Sequence, residues 1–308
     1  MSLTQVFGIL GIAICWGPTF FFIKIALEEG MSPIWITFLR CALGTLIVIP
    51  FLILKQENPF KHLKYWKQLA VLALLTNVIP FTLCSYGEVY SHSATAGVIE
   101  GTIPIFTAVL TWIFFPHTKI QRYEYAGLAI GFLGLLLVFL PAMLDSVDDN
   151  ALGRILLVLM AMSFATGFVF FEKKVDPSIP LFSLMTLQLI FSSMVLAPVT
   201  LLVHPVNPGL FDSSTWMAVL IVSFTSLVGW VIYYSLAKTT PAYFLSIATY
   251  LCPLIAILLG AVFLGEILSK MAYAGTALVV GSMVIMTGML NRVFMRTRFL
   301  NRMFGRLP

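Results

Sequence analysis

The sequence predicts an all-α polytopic membrane protein, with ten transmembrane helices arranged as two inverted five-helix repeats. Three observations carry that expectation. Hydrophobic residues make up 60% of the 308 positions and charged residues 10%, well below the roughly 25% charged of soluble domains. The apolar residues gather into ten stretches, each near the ~20 residues needed to span a ~30 Å hydrocarbon core at ~1.5 Å per residue. The second half also repeats the first at a shift of 148 residues, which carries Trp16 onto Phe164. Five crossings is an odd number, so the second copy must sit upside down. Inverted repeats are a common construction of alternating-access transporters.

In chain order, the first repeat (residues 4–143) contains Thr4–Leu27, Ile34–Leu54, Gln68–Tyr90, Ala94–Phe115 and Glu124–Met143. Thr4–Leu27 lacks a basic leader and a small-residue cleavage site and is long, so it is expected as a retained helix rather than a secretory signal. The acidic linker Asp145–Asn150 separates it from the second repeat (residues 151–290), which contains Ala151–Glu172, Leu181–Val203, Thr215–Ala237, Ala242–Leu264 and Met271–Leu290. Residues 291–308 form a basic tail.

The turns show the expected inversion. Glu28–Pro33 is acidic and its counterpart opens on Lys173–Lys174, whereas Lys55–Lys67 is basic and its counterpart His204–Ser214 has no Lys or Arg. With the N-terminus inside, all basic residues except Lys24, Arg40, Arg154 and Lys270 fall in internal loops or the tail. The positive-inside rule then places both termini in the cytoplasm of an inner (plasma) membrane protein. The net charge of +5 calls for no nucleic acid; the arginine-rich tail suits anionic headgroups of the inner leaflet. Cys15, Cys41, Cys84 and Cys252 all lie in apolar segments without metal-ligand or CxxC spacing, so they are expected to be small buried hydrophobes. No metal and no cofactor is implied.

The repeat register is sustained. Arg40 falls on Gln188, Ala70-Val71-Leu72 on Ala218-Val219-Leu220, Tyr86 on Tyr234, and Tyr125-Ala126-Gly127 on Tyr273-Ala274-Gly275, while Pro104 meets Pro253 one residue later. Trp16-Gly17, Tyr86-Gly87-Glu88, Ser93-Ala94-Thr95-Ala96-Gly97 and Pro104-Ile105-Phe106-Thr107-Ala108 resemble the first half of an EamA-type permease of the drug/metabolite transporter superfamily. Ala248-Thr249-Tyr250-Leu251-Cys252-Pro253-Leu254 and Phe263-Leu264-Gly265-Glu266 resemble its second half. Two departures stand out. Pro116-His117 occupies a place where family members often carry Gly-Glu, and Glu100 stands where close relatives commonly have Asn. The resemblance implies transport of a small metabolite through a cavity lined by crossings one, three, four, six, eight and nine. It leaves the cargo open among amino acids, nucleotide sugars, vitamins and others.

Charges within a bilayer mark a pathway or a paired strut. Four fall inside the first repeat: Lys24, Arg40, Glu88 and Glu100. Counting from the predicted outer helix ends puts Arg40 and Glu100 about 10 Å deep and Lys24 and Glu88 about 3–5 Å deep. Glu100 could couple transport to protons, its proton affinity following the exposure of the site to water; alternatively, Arg40 neutralises it and fixes helix two to helix four. Arg40 could instead clamp a substrate carboxylate, which suits its planar donors.

Trp16, Tyr86, Phe164, Phe168, Trp230, Tyr233, Tyr234 and Tyr250 lie within helices rather than at an interfacial belt. Trp16, Tyr234 and Tyr250 are the preferred cavity residues, against packing or lipid-facing roles. Pro104 and Pro253 are matched hinge positions or static kinks. The glycines of helix five (Gly127, Gly131, Gly134) and helix ten (Gly275, Gly281, Gly288) allow close backbone approach. These two helices are expected to form a packing scaffold, with homodimerisation through the same faces as the weaker alternative.

The commitment is an alternating-access carrier of small metabolites, exporting amino acids or related compounds. The alternatives are an importer or exchanger of another class (nucleotide sugar, vitamin, nucleoside-like), a facilitated channel, or a membrane-embedded enzyme. The enzyme is disfavoured because His62, His92, His117 and His204 are scattered at loops or helix ends. No HExxH or serine-lysine arrangement occurs in the apolar segments.

Overall fold

The structure, a computed structural model, describes residues 3–91, 93–117, 120–145, 150–203, 211–263 and 270–286. Among these residues the chain is helical throughout and has no strand. In order the helices are α1 (Leu3–Trp16), α2 (Thr19–Glu28), α3 (Pro33–Leu54), α4 (Trp66–Ala73), α5 (Ile79–Tyr90), α6 (Ser93–Glu100) and α7 (Ile103–Phe114). They continue with α8 (Arg122–Asp145), α9 (Ala151–Lys174), α10 (Leu181–Val203), α11 (Ser213–Ala237), α12 (Ala242–Leu245), α13 (Ala248–Phe263) and α14 (Lys270–Met286). A 3-10 segment (Pro59–Tyr65) precedes α4, and a π segment (Leu74–Val78) joins α4 to α5.

Seven helical stretches are long and apolar enough to cross a membrane among the described residues: Leu3–Glu28, Pro33–Leu54, Pro59–Tyr90, Thr95–Phe114, Ala151–Lys174, Leu181–Leu202 and Ser213–Ala237. Ala242–Ile255 and Tyr273–Met286 are shorter apolar helices. The far ends expected for the ninth and tenth crossings, the Gly265-Glu266 motif, Gly288, most of the acidic linker and the basic tail lie outside the described residues.

Three expected single helices are broken, and the sequence explains each break. Pro18 has no N–H to continue the ladder, and the chain turns at Gly17–Pro18 between α1 and α2. Gly101–Thr102 interrupts the fourth crossing, with Pro104 in the first turn of α7. The ninth crossing breaks at Ser246–Ile247, between α12 and α13, while Pro253 lies well inside α13. The two prolines expected as matched hinges therefore sit differently relative to their breaks. Pro80, in the first turn of α5, likewise lacks the N–H that would bond the Thr76 carbonyl, and the preceding turn widens to a π segment.

Side-chain bonds fix which loops share an end of the bundle. The Gln5 amide donates to Thr240 Oγ1 (2.8 Å), and Glu57 Oε2 accepts from the Ser183 N–H (2.7 Å). The Asp176 N–H donates to Gln68 Oε1 (3.2 Å), and the Tyr243 hydroxyl donates to Glu124 Oε1 (3.1 Å). Chain start, Lys55–Lys67, Lys173–Lys174 and Lys238 thus lie at one basic end. At the other end, the Asn150 N–H reaches the Tyr90 carbonyl at 3.1 Å. Asp212 caps α11 by accepting from the Thr215 N–H (2.9 Å), and these hydrogen bonds hold its carboxyl below the usual value of 3.8.

α8 packs along α14, as the glycines anticipated. A Cβ on Gly134 would stand 2.8 Å from the Gly275 carbonyl oxygen, too close for any side chain. Gly281 has nothing within 4 Å and plays no such part. Large apolar side chains such as Leu46, Trp112, Leu202 and Phe224 point outward from the bundle, as a surface solvated by lipid requires.

Candidate functional site

The three helix breaks meet at one place. α1 ends on Trp16, α2 begins on Thr19, α6 ends on Glu100, α7 begins on Ile103, and Thr249 lies in the first turn of α13; all five residues line a single cavity of about 470 Å³. Broken helices around a midmembrane cavity put half-helix ends, with their unpaired backbone groups and partial charges, where a ligand can use them. Here α2 offers its N-terminus, with no side-chain cap, and α6 its C-terminus.

The walls are aromatic. Trp16, Phe20, Phe81, Phe164, Phe168 and Trp230 all face the cavity. Trp16 lies 5.1 Å from Trp230 and 6.0 Å from Tyr233 between ring centroids, and Phe168 stacks on Tyr233 at 4.5 Å. Gly229 makes this possible, since a Cβ there would overlap the Trp16 indole. Tyr233, Tyr234 and Phe171 continue the cluster toward the basic end, with Phe171 and Tyr234 centroids 4.5 Å apart.

Arg40 and Glu100 line the cavity together without a direct ion pair between them. Arg40 and Glu100 are 7% and 8% exposed, yet among the described residues no carboxylate lies within 4.0 Å of the guanidinium. Arg40 Nε donates to Ser226 Oγ at 2.9 Å, and its Cζ sits 3.6 Å over the Phe81 ring centroid. Its two terminal nitrogens have no hydrogen-bond partner among the described residues. Glu100 Oε2 and Thr19 Oγ1 are buried without a partner. Unpaired buried polar groups of this kind are uncommon and call for an explanation.

The other residues singled out by sequence are placed differently. Lys24 Nζ donates to the Glu88 backbone carbonyl at 3.1 Å, tying α2 to α5. The Glu88 carboxylate is fully buried; Oε1 accepts from the Cys84 thiol at 3.6 Å and Oε2 has no partner. Neither residue lines the cavity, but Cys84 connects them to it. Tyr86 is half-buried and lines no cavity described here. The Tyr250 hydroxyl donates to the Leu128 carbonyl at 2.9 Å, pinning α13 to α8. The Tyr234 hydroxyl donates to Gln188 Oε1 at 3.0 Å. Of the named positions, Trp16, Arg40, Glu100 and Trp230 are brought together.

Sequence reasoning missed Thr19, Phe81, Thr249 and Ser226. The Gly17-Pro18 and Gly101-Thr102 pairs were available signals, because a broken crossing exposes the residues flanking the break. Among the described residues no cluster of His, Cys, Asp and Glu could hold a metal ion.

A model of the EamA-like transporter family matches twice, over residues 3–140 and 151–288. An uncharacterized inner membrane transporter of Escherichia coli K12, YedA, is 26% identical over 294 residues, covering 93% of this chain and 92% of its own. The uncharacterized Bacillus subtilis transporter YvbV is 25% identical over 280 residues, covering 89% and 88%. A crystal structure at 16% identity superposes over 95% of this chain and 99% of its own with a TM-score of 0.76, so the overall fold is shared.

Proposed function

We propose that this chain, a membrane transporter that belongs to the EamA-like transporter family, carries small zwitterionic metabolites by alternating access and exports amino acids or related compounds. The architecture proposed with this is two inverted quintets of crossings with both termini cytoplasmic. The tandem family match and the basic end that gathers Lys55–Lys67, Lys173–Lys174 and Lys238 support it.

The observation that carries the cargo class is Arg40 and Glu100 on one aromatic-walled cavity with no direct ion pair between them. A carboxylate would take the free nitrogens of Arg40, aided by the N-terminus of α2. An ammonium would take Glu100 at the C-terminus of α6, the favourable end for a cation. An apolar or aromatic side chain would pack between the rings. With cargo absent, a proton can take the ammonium's place on Glu100, which links transport to pH.

Proteoliposomes loaded with radiolabelled phenylalanine, phenethylamine or phenylpropionate test this. Saturable, trans-stimulated flux of the zwitterion, strongly reduced for both analogues, is expected. Equal flux of all three would refute the charge pairing, and chemical alteration of the cargo would refute transport.

A further inference from the structure

A second cavity of about 330 Å³ lies behind the first, and Arg40, Phe81 and Trp230 line both. Its other polar walls are Asn77, Gln188, Ser223 and Ser226. Gly44, one helical turn beyond Arg40 on α3, also lines it, which places this cavity about 6 Å nearer the basic end. Asn77 reaches it from the π segment, a distortion frequent at functional sites. The Asn77 amide nitrogen donates to Ser192 Oγ at 3.1 Å, and its oxygen has no hydrogen-bond partner among the described residues.

The geometry points to a second binding station for the cargo carboxylate in this cavity, entered past Arg40. Its walls carry the Arg40 guanidinium, whose terminal nitrogens have no partner among the described residues, and an Asn77 oxygen likewise without one, and buried polar groups left this way call for an explanation. Arg40 is the cation lining both chambers. Its Nε is anchored on Ser226, and its guanidinium rests on a phenyl face rather than a carboxylate. The free terminal nitrogens can therefore stay on a carboxylate as it moves from one chamber to the other. Cargo coming from the basic end meets the inner station first and reaches the aromatic cavity second. Flux thus needs the volume of the inner chamber, while binding in the aromatic cavity does not. This rests on the carboxylate-bearing cargo proposed above.

Filling the inner chamber tests the assignment. A Cβ on Gly44 meets only the Leu189 side chain at 3.5 Å, so Gly44→Ala fits and Gly44→Leu projects into the void. Ser223→Leu fills it from the opposite wall. Tritiated phenylalanine binding to purified protein by equilibrium dialysis is compared with its flux in proteoliposomes. In both leucine variants we expect a dissociation constant within about threefold of wild type and a flux reduced at least about tenfold, with a smaller flux loss in Gly44→Ala. Wild-type flux in either leucine variant overturns the second station. Parallel loss of binding and flux also overturns it, because the two cavities would then be one site. If the wild-type protein neither binds nor moves phenylalanine, the cargo reading fails and takes the second station with it.

Discussion

Replacing Gln188 with Leu should be among the most damaging isosteric changes in the bundle, and the structure says by how much. The Gln188 amide nitrogen donates to Thr76 Oγ1 and its oxygen accepts from Tyr234, linking α10, the π segment and α11. Leu has a similar volume, so the cavity contribution is small. Thr76 keeps its own donation to the Leu72 carbonyl at 2.7 Å and is not stranded. Tyr234, at 1% exposure, loses this acceptor and is left with the neighbouring Thr76 hydroxyl. Interhelical hydrogen bonds in lipid average about 0.6 kcal/mol, and a stranded buried polar group costs about 1–3 kcal/mol. Two lost bonds and a Tyr234 hydroxyl short of one acceptor predict a loss of about 1–3 kcal/mol for Gln188→Leu. Tyr234→Phe should lose about 1–2 kcal/mol on the same reasoning. The double variant loses the shared Tyr234–Gln188 bond only once, so it should fall short of the sum of the single losses by about 0.6 kcal/mol or more. Equilibrium unfolding in mixed micelles, followed by tryptophan fluorescence and circular dichroism with coincident transitions, measures all three variants. Losses that add to within about 0.3–0.5 kcal/mol would refute the linkage.

Three further outcomes are expected. Gly134→Leu must push α8 off α14 and should lower stability by about 1–3 kcal/mol or more, whereas Gly281→Ala should change it by less than about 0.5 kcal/mol; thermal melts separate the two. Asp212 has a lowered carboxyl, so its capping contribution is complete above the usual value of 3.8 and disappears as pH falls through the lowered value; the melting difference between wild type and Asp212→Ala should accordingly be largest near neutrality and shrink in strong acid. Glu100→Gln should flatten the dependence of phenylalanine flux on external pH, and an unchanged dependence would remove the proton from the mechanism.

Much of this molecule was legible in its letters because lipid enforces simple rules. Apolar length located seven membrane-length helices among the described residues, and one family model fits the chain twice. Buried charge drew attention to Arg40 and Glu100, which do share a cavity. Less legible was what each side chain touches. Spacing could not show that the Arg40 guanidinium rests on Phe81, or that the Tyr250 hydroxyl is used by α8 rather than facing the cavity. Those outcomes depend on helix rotation and on breaks at Gly17–Pro18, Gly101–Thr102 and Ser246–Ile247, where one displaced turn re-aims every residue beyond it. Asn77 escaped notice because a carboxamide in an apolar run carries no formal charge.

The interrupted crossings also bear on backbone pairing. α1 has 14 residues and α2 has 10, or about 21 Å and 15 Å of rod, and neither alone reaches across a ~30 Å core. Each pair must therefore stay threaded as one span while its severed backbone groups find partners other than lipid. Around Gly101–Thr102 the chain supplies some of them itself, the Gly101 N–H bonding the Gly97 carbonyl and the Thr102 N–H the Ile99 carbonyl, so any bend between α6 and α7 trades these short turn bonds rather than rupturing an unbroken ladder.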